Sequence, residues 1–212
     1  MSRASDPLVW DLHARRYGSQ EHLERRALAA ALRLAAPGRD DSVVDLGTGT
    51  GAALHALACS EPRPAVAIGF DRSPGMLARV GPLPAGWSAR LGDARDVPLQ
   101  DGLADLVICS YLLHVLPPPD RAAVLAEARR LLAPGAGARL VVITVWADRR
   151  RACGRVLYLG LRTLARARPA AWGALAPLDP TDDLLAAGFL PTGRAVLPRG
   201  GYPSLVIRAR PG

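Results

Sequence analysis

Five strand-length runs of largely apolar sequence, each set off from the next by a helical pattern or a turn, constrain this chain more than any other feature. They are SVVDL (42–46), AVAIGFD (65–71), WSARLGD (87–93), ADLVICS (104–110) and ARLVVITVW (138–146). Most are continuous rather than alternating in their apolar residues, the pattern of strands buried on both faces. Between them lie helical stretches. Residues 20–36 put Leu23, Ala27, Ala31 and Leu34 on one face and stop at Pro37-Gly38; others cover 51–59, a short segment begun by Ser73-Pro74, and an amphipathic stretch over 120–133 closed by Pro134-Gly135. This alternation predicts an α/β fold with a parallel sheet and helices on both faces. Beyond a basic stretch at 149–168, a helix near 181–187 and strands at 193–197 and 203–208 are expected. With 212 residues, 50% of them hydrophobic, and no repeat or linker, the chain reads as one domain, 1–212.

The first strand runs into a glycine loop, VVDLGTGTG (43–51), and then into a helix. Glycine at alternate positions frees the backbone of Cβ constraints. A strand, loop and helix in this order bring backbone N–H groups and a helix N-terminus to the carboxyl edge of the sheet, where a nucleotide-like cofactor is the natural occupant. Two cofactors compete. GTGTGA fits the loose dinucleotide fingerprint, whose glycines face a pyrophosphate, so a NAD(P)-binding reductase is one reading. Asp45, two residues before the first glycine, speaks for a cationic ligand, because it would meet a pyrophosphate with like charge. Asp71, ending the second strand, suits the ribose diol of either cofactor. Asp93, ending the third, is placed to accept from an adenine amino group.

Charge is regional. Lys and Asn are absent while Ala, Arg, Gly and Pro abound, the mark of a GC-rich coding sequence, which weakens any functional reading of the pI of 10.6. Residues 121–168 nevertheless carry eleven Arg against Glu127 and Asp148. Cys59, Cys109 and Cys153 are odd in number and lack C-x-x-C spacing, so neither a disulfide framework nor zinc is indicated and no metal is expected. The start lacks an apolar signal segment, and no run reaches the roughly 18 apolar residues of a bilayer span. A cytoplasmic protein is expected.

VVDLGTGTG, GFDRSPGML, LGDARDVPL, DLVICSYLLHVL and EARRLLAPGAGARLVVIT resemble, in this order and spacing, the successive motifs of class I S-adenosylmethionine-dependent methyltransferases. The subgroup resembled includes the ubiquinone and menaquinone biosynthesis C-methyltransferases and many small-molecule methyltransferases. The similarity covers residues 8–146, and the last sixty by topology alone. It implies a Rossmann-like seven-stranded sheet in the order 3-2-1-4-5-7-6 with strand 7 antiparallel. It also implies S-adenosyl-L-methionine as cofactor and S-adenosyl-L-homocysteine as product. Residues 1–36 would then be N-terminal helices covering the cofactor, 37–146 the cofactor-binding core, 147–180 a substrate-side lid or basic helix, and 181–212 the C-terminal strands.

The resemblance also assigns residues. Asp45, Gly47, Gly49 and Gly51 match the loop that holds the methionine end of the cofactor. Thr48, where the family often has Cys, and Thr50 match neighbours of its carboxylate or ribose. Asp71 matches the ribose-binding acid, Arg72 and Met76 the residues flanking adenine, Asp93 and Ala94 the adenine-edge contact, and Ser110 a position lining the sulfonium. WDLHARRY (10–17) resembles the N-terminal helix that covers the cofactor, with Tyr17 as its aromatic.

A sulfonium methyl is already electrophilic, so such an enzyme mainly holds its acceptor in line, and orientation alone yields effective molarities of roughly 10⁵–10⁸ M. A base is needed only where the acceptor must lose a proton. His114 in SYLLH resembles the first His of the family's L-H-H or L-H-W segment; it reads as the candidate general base or as a packing histidine. Tyr17, His13 and Tyr111 are further candidates, and His13, Tyr111, His114 and Trp146 are candidate substrate contacts. His22 and His55 are expected on exposed helix faces.

Over 149–168, Arg151, Arg155, Arg162 and Arg166 share one side at about 100° per residue, with Val156, Leu157, Leu161 and Leu164 on the other. This basic amphipathic helix reads as a solvated face, as a lid attracting an anionic substrate, or as a contact with an anionic membrane. Trp146 and Trp172 bracket it. Nucleic acid is a rival acceptor. It is disfavoured because CSYLLH stands where base-amino methylation uses an [N/D/S]-P-P-aromatic motif, no Pro-Cys is present, and aromatics are sparse at 5%. The reading is methyl transfer to an O, N or C atom of a small molecule, such as a secondary metabolite, quinone or lipid-like acceptor. The alternatives are a nucleic-acid methyltransferase, a NAD(P)-binding reductase and a non-catalytic cofactor-binding partner protein. Oligomeric state is not legible.

Overall fold

The computed structural model describes residues 21–135, 137–147, 156, 158–160, 163, 177–198 and 203–212. Helix α1 (Glu21–Ala35) leads into β1 (Ser42–Leu46), α2 (Ala52–Ala58), β2 (Val66–Asp71), α3 (Pro74–Leu77), β3 (Ser88–Leu91) and β4 (Leu106–Ser110). A 3₁₀ turn (Leu113–Val115), α4 (Pro118–Leu131), β5 (Arg139–Val145), α5 (Thr181–Ala186), β6 (Phe189–Leu197) and β7 (Ser204–Pro211) follow. The strands form one sheet in the order β3-β2-β1-β4-β5-β7-β6, with β7 antiparallel to both its neighbours and the other pairs parallel, as the resemblance implies.

The central strands lie between two apolar layers because their side chains alternate between faces while both alternating sets are apolar. On one face Val43, Leu106, Ile108, Val141 and Ile143 pack with α1 and α2 through Ala27, Leu28, Ala31, Leu54 and Leu57. On the other, Val44, Val107, Leu140, Val142 and Ile207 pack with Val124, Leu125 and Leu131 of α4 and Leu184 of α5. Each fully buried Leu or Val contributes about 1.5–3 kcal/mol relative to exposure, so the two layers fix which face each helix covers.

Several boundaries differ from expectation. β6 begins at Phe189, four residues before the expected 193, because Pro191 sits on the edge strand, where a missing N–H is tolerated. A register shift between Pro191 and Gly193 absorbs the irregularity. α4 starts at Pro118 instead of 120, with proline at its first turn where no intrahelical donor is required. β3 is shorter than expected and β7 runs on to Pro211. The expected covering helix with His13 and Tyr17, most of the basic segment 149–168, and Trp172 lie outside the described residues. No described helix is long and apolar enough to cross a membrane.

Candidate cofactor site at the carboxyl edge

Chain order changes direction between β1 and β4, which opens a crevice at their carboxyl ends. Gly47, Gly49 and Gly51 follow β1 with φ of 77°, 56° and 81°, left-handed values that side-chain-bearing residues adopt only at a cost. A Cβ on Gly47 would press on Leu112 at 3.0 Å, whereas one on Gly49 would meet nothing within 4 Å. Gly49 therefore faces room for a ligand. The loop's amides, expected to point at the cofactor, are spent inside the protein. Gly47 and Thr48 both donate to the Phe70 carbonyl at 2.9 Å, Gly51 donates to the Thr48 carbonyl at 2.9 Å, and Gly49 donates to Asp71 Oδ2 at 2.8 Å. A pyrophosphate would find these four donors taken.

Asp45 is fully buried, and neither carboxylate oxygen has a hydrogen-bond partner. The Thr48 hydroxyl oxygen is also without one. Burial pushes the Asp45 carboxyl up to about 7; the nearby Thr48 hydroxyl pulls the other way without a well-formed hydrogen bond, and the Asp71 carboxylate adds repulsion. Buried, unpaired polar groups are rare, and an ionised carboxylate in that state is costly until a cation or donors reach it. Gly69 pairs with Asp45 across β1 and β2, and its missing side chain makes room for Thr48: a Cβ there would lie 2.5 Å from Thr48 Oγ1.

Asp71 ties the end of β2 to the loop. Its Oδ1 accepts from the Ser73 amide at 2.9 Å and its Oδ2 from the Gly49 amide at 2.8 Å. Burial raises its pKa, opposed by these backbone hydrogen bonds and by Arg72. Each oxygen retains capacity for another donor. Ser73 also caps α3, its Oγ accepting from the Met76 amide at 3.1 Å, so Met76 is held buried beside Asp71.

At the end of β3, Ala94 is buried and Asp93 is gripped by a residue that sequence reasoning passed over. Arg95 donates from Nε to Asp93 Oδ1 at 3.0 Å and from Nη2 to Oδ2 at 2.6 Å, while its amide donates to Oδ1 at 3.0 Å. Its Nη1 reaches Asp120 Oδ1 at 2.8 Å. Arg72 Nε stands 3.7 Å from Asp93 Oδ2. Burial raises the Asp93 pKa, but the hydrogen bonds and charge of Arg95, helped by Arg72, outweigh it and leave the carboxyl below its usual range. The signal was slight: an arginine two residues beyond an aspartate, in an Arg-rich chain.

The third group lies beyond β4 and β5. Ser110 ends β4, half-buried. Tyr111 has φ of 53°, a strained value for a bulky residue; its amide donates to the Ile143 carbonyl at 2.8 Å and its hydroxyl shares a 2.7 Å hydrogen bond with Ser204. His114 is buried and stands edge-on to Tyr111, ring centroids 6.0 Å apart. Its Nδ1 has no partner, and burial pushes the imidazole down to about 3, so it is neutral at pH 7. Trp146 follows β5, half-buried, its amide donating to the Pro203 carbonyl at 2.8 Å. Thr50 is buried, and His55, expected on an exposed face, is half-buried near Gly51 and Gly81. Among the described residues no cluster of His, Cys, Asp or Glu is arranged to hold a metal ion.

Residues 43–135, the stretch from the glycine loop through Asp71, Asp93 and His114 to the end of α4, match the family described as "Methyltransferase domain". No curated protein matches the sequence. Among solved structures the chain is similar to a SAM-dependent methyltransferase of Thermotoga maritima at 19% identity, over 95% of this chain and 97% of that one, with a TM-score of 0.66. It is similar to geranyl diphosphate C-methyltransferase of Streptomyces coelicolor A3(2), at 14% identity over 88% of this chain and 78% of that one, with a TM-score of 0.68. It is likewise similar to magnesium protoporphyrin IX methyltransferase of Synechocystis, at 18% identity over 90% and 85% of the two chains, with a TM-score of 0.64. At such identities the structural likeness is one of fold. Residues 43–135 thus match a methyltransferase domain, and the chain has the seven-stranded Rossmann-like fold of the solved methyltransferases to which it is similar.

Proposed function

We propose that the protein transfers a methyl group from S-adenosylmethionine to an O, N or C atom of a small molecule. The observation that carries this reading is Asp45, fully buried with both oxygens unpartnered, beneath a loop whose Gly49 faces open space. An acidic crevice with open space at Gly49 fits the amino-acid end and positive sulfur of that cofactor. It does not suit a pyrophosphate, whose donors are already taken, so the reductase reading loses its main support.

S-adenosylmethionine, when bound, supplies an electrophilic methyl on a positively charged sulfur. The chain's own residues bind and orient. Asp45 in its ionised form holds the ammonium group, and Gly47, Gly49 and Gly51 let the ligand approach the backbone with Thr48 and Thr50 alongside. Asp71, fixed by Gly49 and Ser73, receives ribose hydroxyls. Arg72 and Met76 flank the base, Asp93 and Ala94 meet its edge, and Ser110 lines the sulfur.

Tyr111, His114 and Trp146 face the acceptor; the resemblance of WDLHARRY (10–17) to the family's covering helix supports roles for His13 and Tyr17 as well. His114 with a pKa of about 3 is a weak proton acceptor, so its role is to accept a hydrogen bond and orient the acceptor, whose proton leaves by another route. The motif order over 8–146 supports kinship with the ubiquinone and menaquinone C-methyltransferase-like subgroup. The Arg-rich segment 149–168 supports a lid or a peripheral contact with an anionic membrane, in a cytoplasmic enzyme.

Titration calorimetry tests the cofactor: S-adenosylmethionine and S-adenosylhomocysteine should bind, and NADH and NADPH should not. Asp71→Ala should weaken binding by about 1.5–3 kcal/mol through loss of charge-assisted hydrogen bonds. A folded protein that takes NADPH and ignores S-adenosylhomocysteine sinks the proposal. Transfer of a labelled methyl group into a metabolite extract then separates an enzyme from a binding-only partner protein.

A further inference from the structure

Arg95 holds the carboxylate expected to read adenine, and holds it by three hydrogen bonds. The guanidinium forks onto both oxygens at 3.0 and 2.6 Å, and the Arg95 amide adds a third bond to Oδ1 at 3.0 Å. The grip is braced from outside. Nη1 of the same guanidinium donates at 2.8 Å to Asp120, in the first turn of α4, so the loop after β3 is pinned to a helix that the buried Val124, Leu125 and Leu131 anchor in the core. A second pin lies a few residues on, where the Val97 amide donates to the buried Glu127 at 2.8 Å and Arg130 donates to the Leu99 and Val97 carbonyls.

These contacts consume most of the acceptor capacity of Asp93. Oδ1 takes two bonds and is full, since a carboxylate oxygen offers about two lone-pair sites. Oδ2 takes one, from Nη2, and Arg72 Nε at 3.7 Å is beyond hydrogen-bond distance. One acceptor site remains on a carboxylate that cannot rotate. A bidentate guanidinium fixes geometry as well as adding energy, which a point charge would not.

We infer that Arg95 is a positioning residue for base selection: by locking Asp93 with a single free acceptor site, it makes that site read the 6-amino group of adenine and reject a 6-oxo base. This rests on the proposed S-adenosylmethionine reading and deepens it. A 6-oxo purine presents an acceptor where adenine presents a donor, so it would face the remaining lone pair of Oδ2 unpaired. A site built around a hydrogen bond discriminates against a ligand that cannot make it.

Calorimetry with S-adenosylhomocysteine and its 6-deaminated analogue, S-inosylhomocysteine, is the test. The wild type should prefer the amino ligand by at least about tenfold, the scale of one lost hydrogen bond to a charged group. Arg95→Gln should weaken the amino ligand about tenfold, leave the oxo ligand within about twofold, and so erase the preference; Arg95→Lys, which restores charge without the fork, should recover only part of it. Asp120→Ala, which leaves the fork intact and removes its brace, should move the preference in the same direction by less. Equal weakening of both ligands by Arg95→Gln would assign Arg95 a purely structural role, and an unchanged preference in all three variants would likewise overturn the inference. Two wild-type results would remove it for separate reasons: equal affinity for both ligands would mean that Asp93 reads no amino group, and affinity for neither would mean that the cofactor reading itself is wrong.

Discussion

The two edges of the sheet treat buried polar groups in opposite ways. At the amino edge Arg139 opens β5 and is buried, yet its guanidinium is fully engaged: it donates to the carbonyls of Ala35, Ala36, Asp105 and Gly137 and to the Asp41 carboxylate. It thereby joins the end of α1, the start of β5 and the turn before β4. At the carboxyl edge Asp45, Thr48 and His114 are as deeply buried, and each has a polar atom with no partner. Among the described residues only Arg208 Nε, on β7, shares that condition elsewhere. Satisfied burial marks a staple that the fold needs; under the proposed function, unsatisfied burial at the carboxyl edge is stability given up for a ligand.

The sharpest way to break this division is Arg139→Ala. Stranding buried carbonyls and Asp41 should cost about 3–5 kcal/mol by urea denaturation, while the folded variant binds S-adenosylhomocysteine as before. A parallel loss of affinity would mean that the edges are not separable. Gly69→Ala probes the border between them, because its Cβ would sit 2.5 Å from Thr48 Oγ1 and that short side chain has little freedom to yield. It should cost about 2–3 kcal/mol in stability and, unlike Arg139→Ala, also weaken ligand binding.

His114 gives a smaller effect with a definite sign. Its pKa falls from 6.5 to about 3 on folding, so the unfolded chain binds more protons between those values, and stability is lost as pH drops from 6.5 towards 3. His114→Gln should flatten that acid limb, gaining roughly 1–2 kcal/mol over the wild type at pH 5 in paired urea titrations. Parallel pH curves for variant and wild type would show that the imidazole is not dry.

Much of the frame was legible in the residues. Continuous apolar runs such as LVVITV can only be strands covered twice, and the motif order implied the strand order that the sheet shows. The positions of Asp45, Asp71 and Asp93 at successive strand ends followed from the same runs. What sequence could not give was the spending of hydrogen bonds. The loop amides looked free and are not, because Phe70 O and Asp71 come from β2, with Asp71 22 residues beyond Gly49. In the sequence Arg95 and Arg139 are two arginines among 27; in the fold one clamps Asp93 and the other closes α1. The left-handed Tyr111 has no sequence signature either: nothing in CSYLLH announces a positive φ at a tyrosine. Pairings across the fold decide these roles, and local pattern carries no record of them.

Asp45 tests the central claim most directly, by thermal denaturation of the wild type and Asp45→Asn at pH 8 with and without S-adenosylhomocysteine. Folding raises this carboxyl from 3.8 to about 7, so the folded state binds its proton more tightly and stability falls as pH rises through that interval; at pH 8 the penalty is complete. Without ligand the variant should therefore be more stable than the wild type, by roughly 1–2 kcal/mol, and with ligand it should lose most of the stabilisation that the wild type gains. A variant that is no more stable when empty and is still stabilised by ligand as the wild type is would contradict the assignment of Asp45 as the buried charge awaiting a cation.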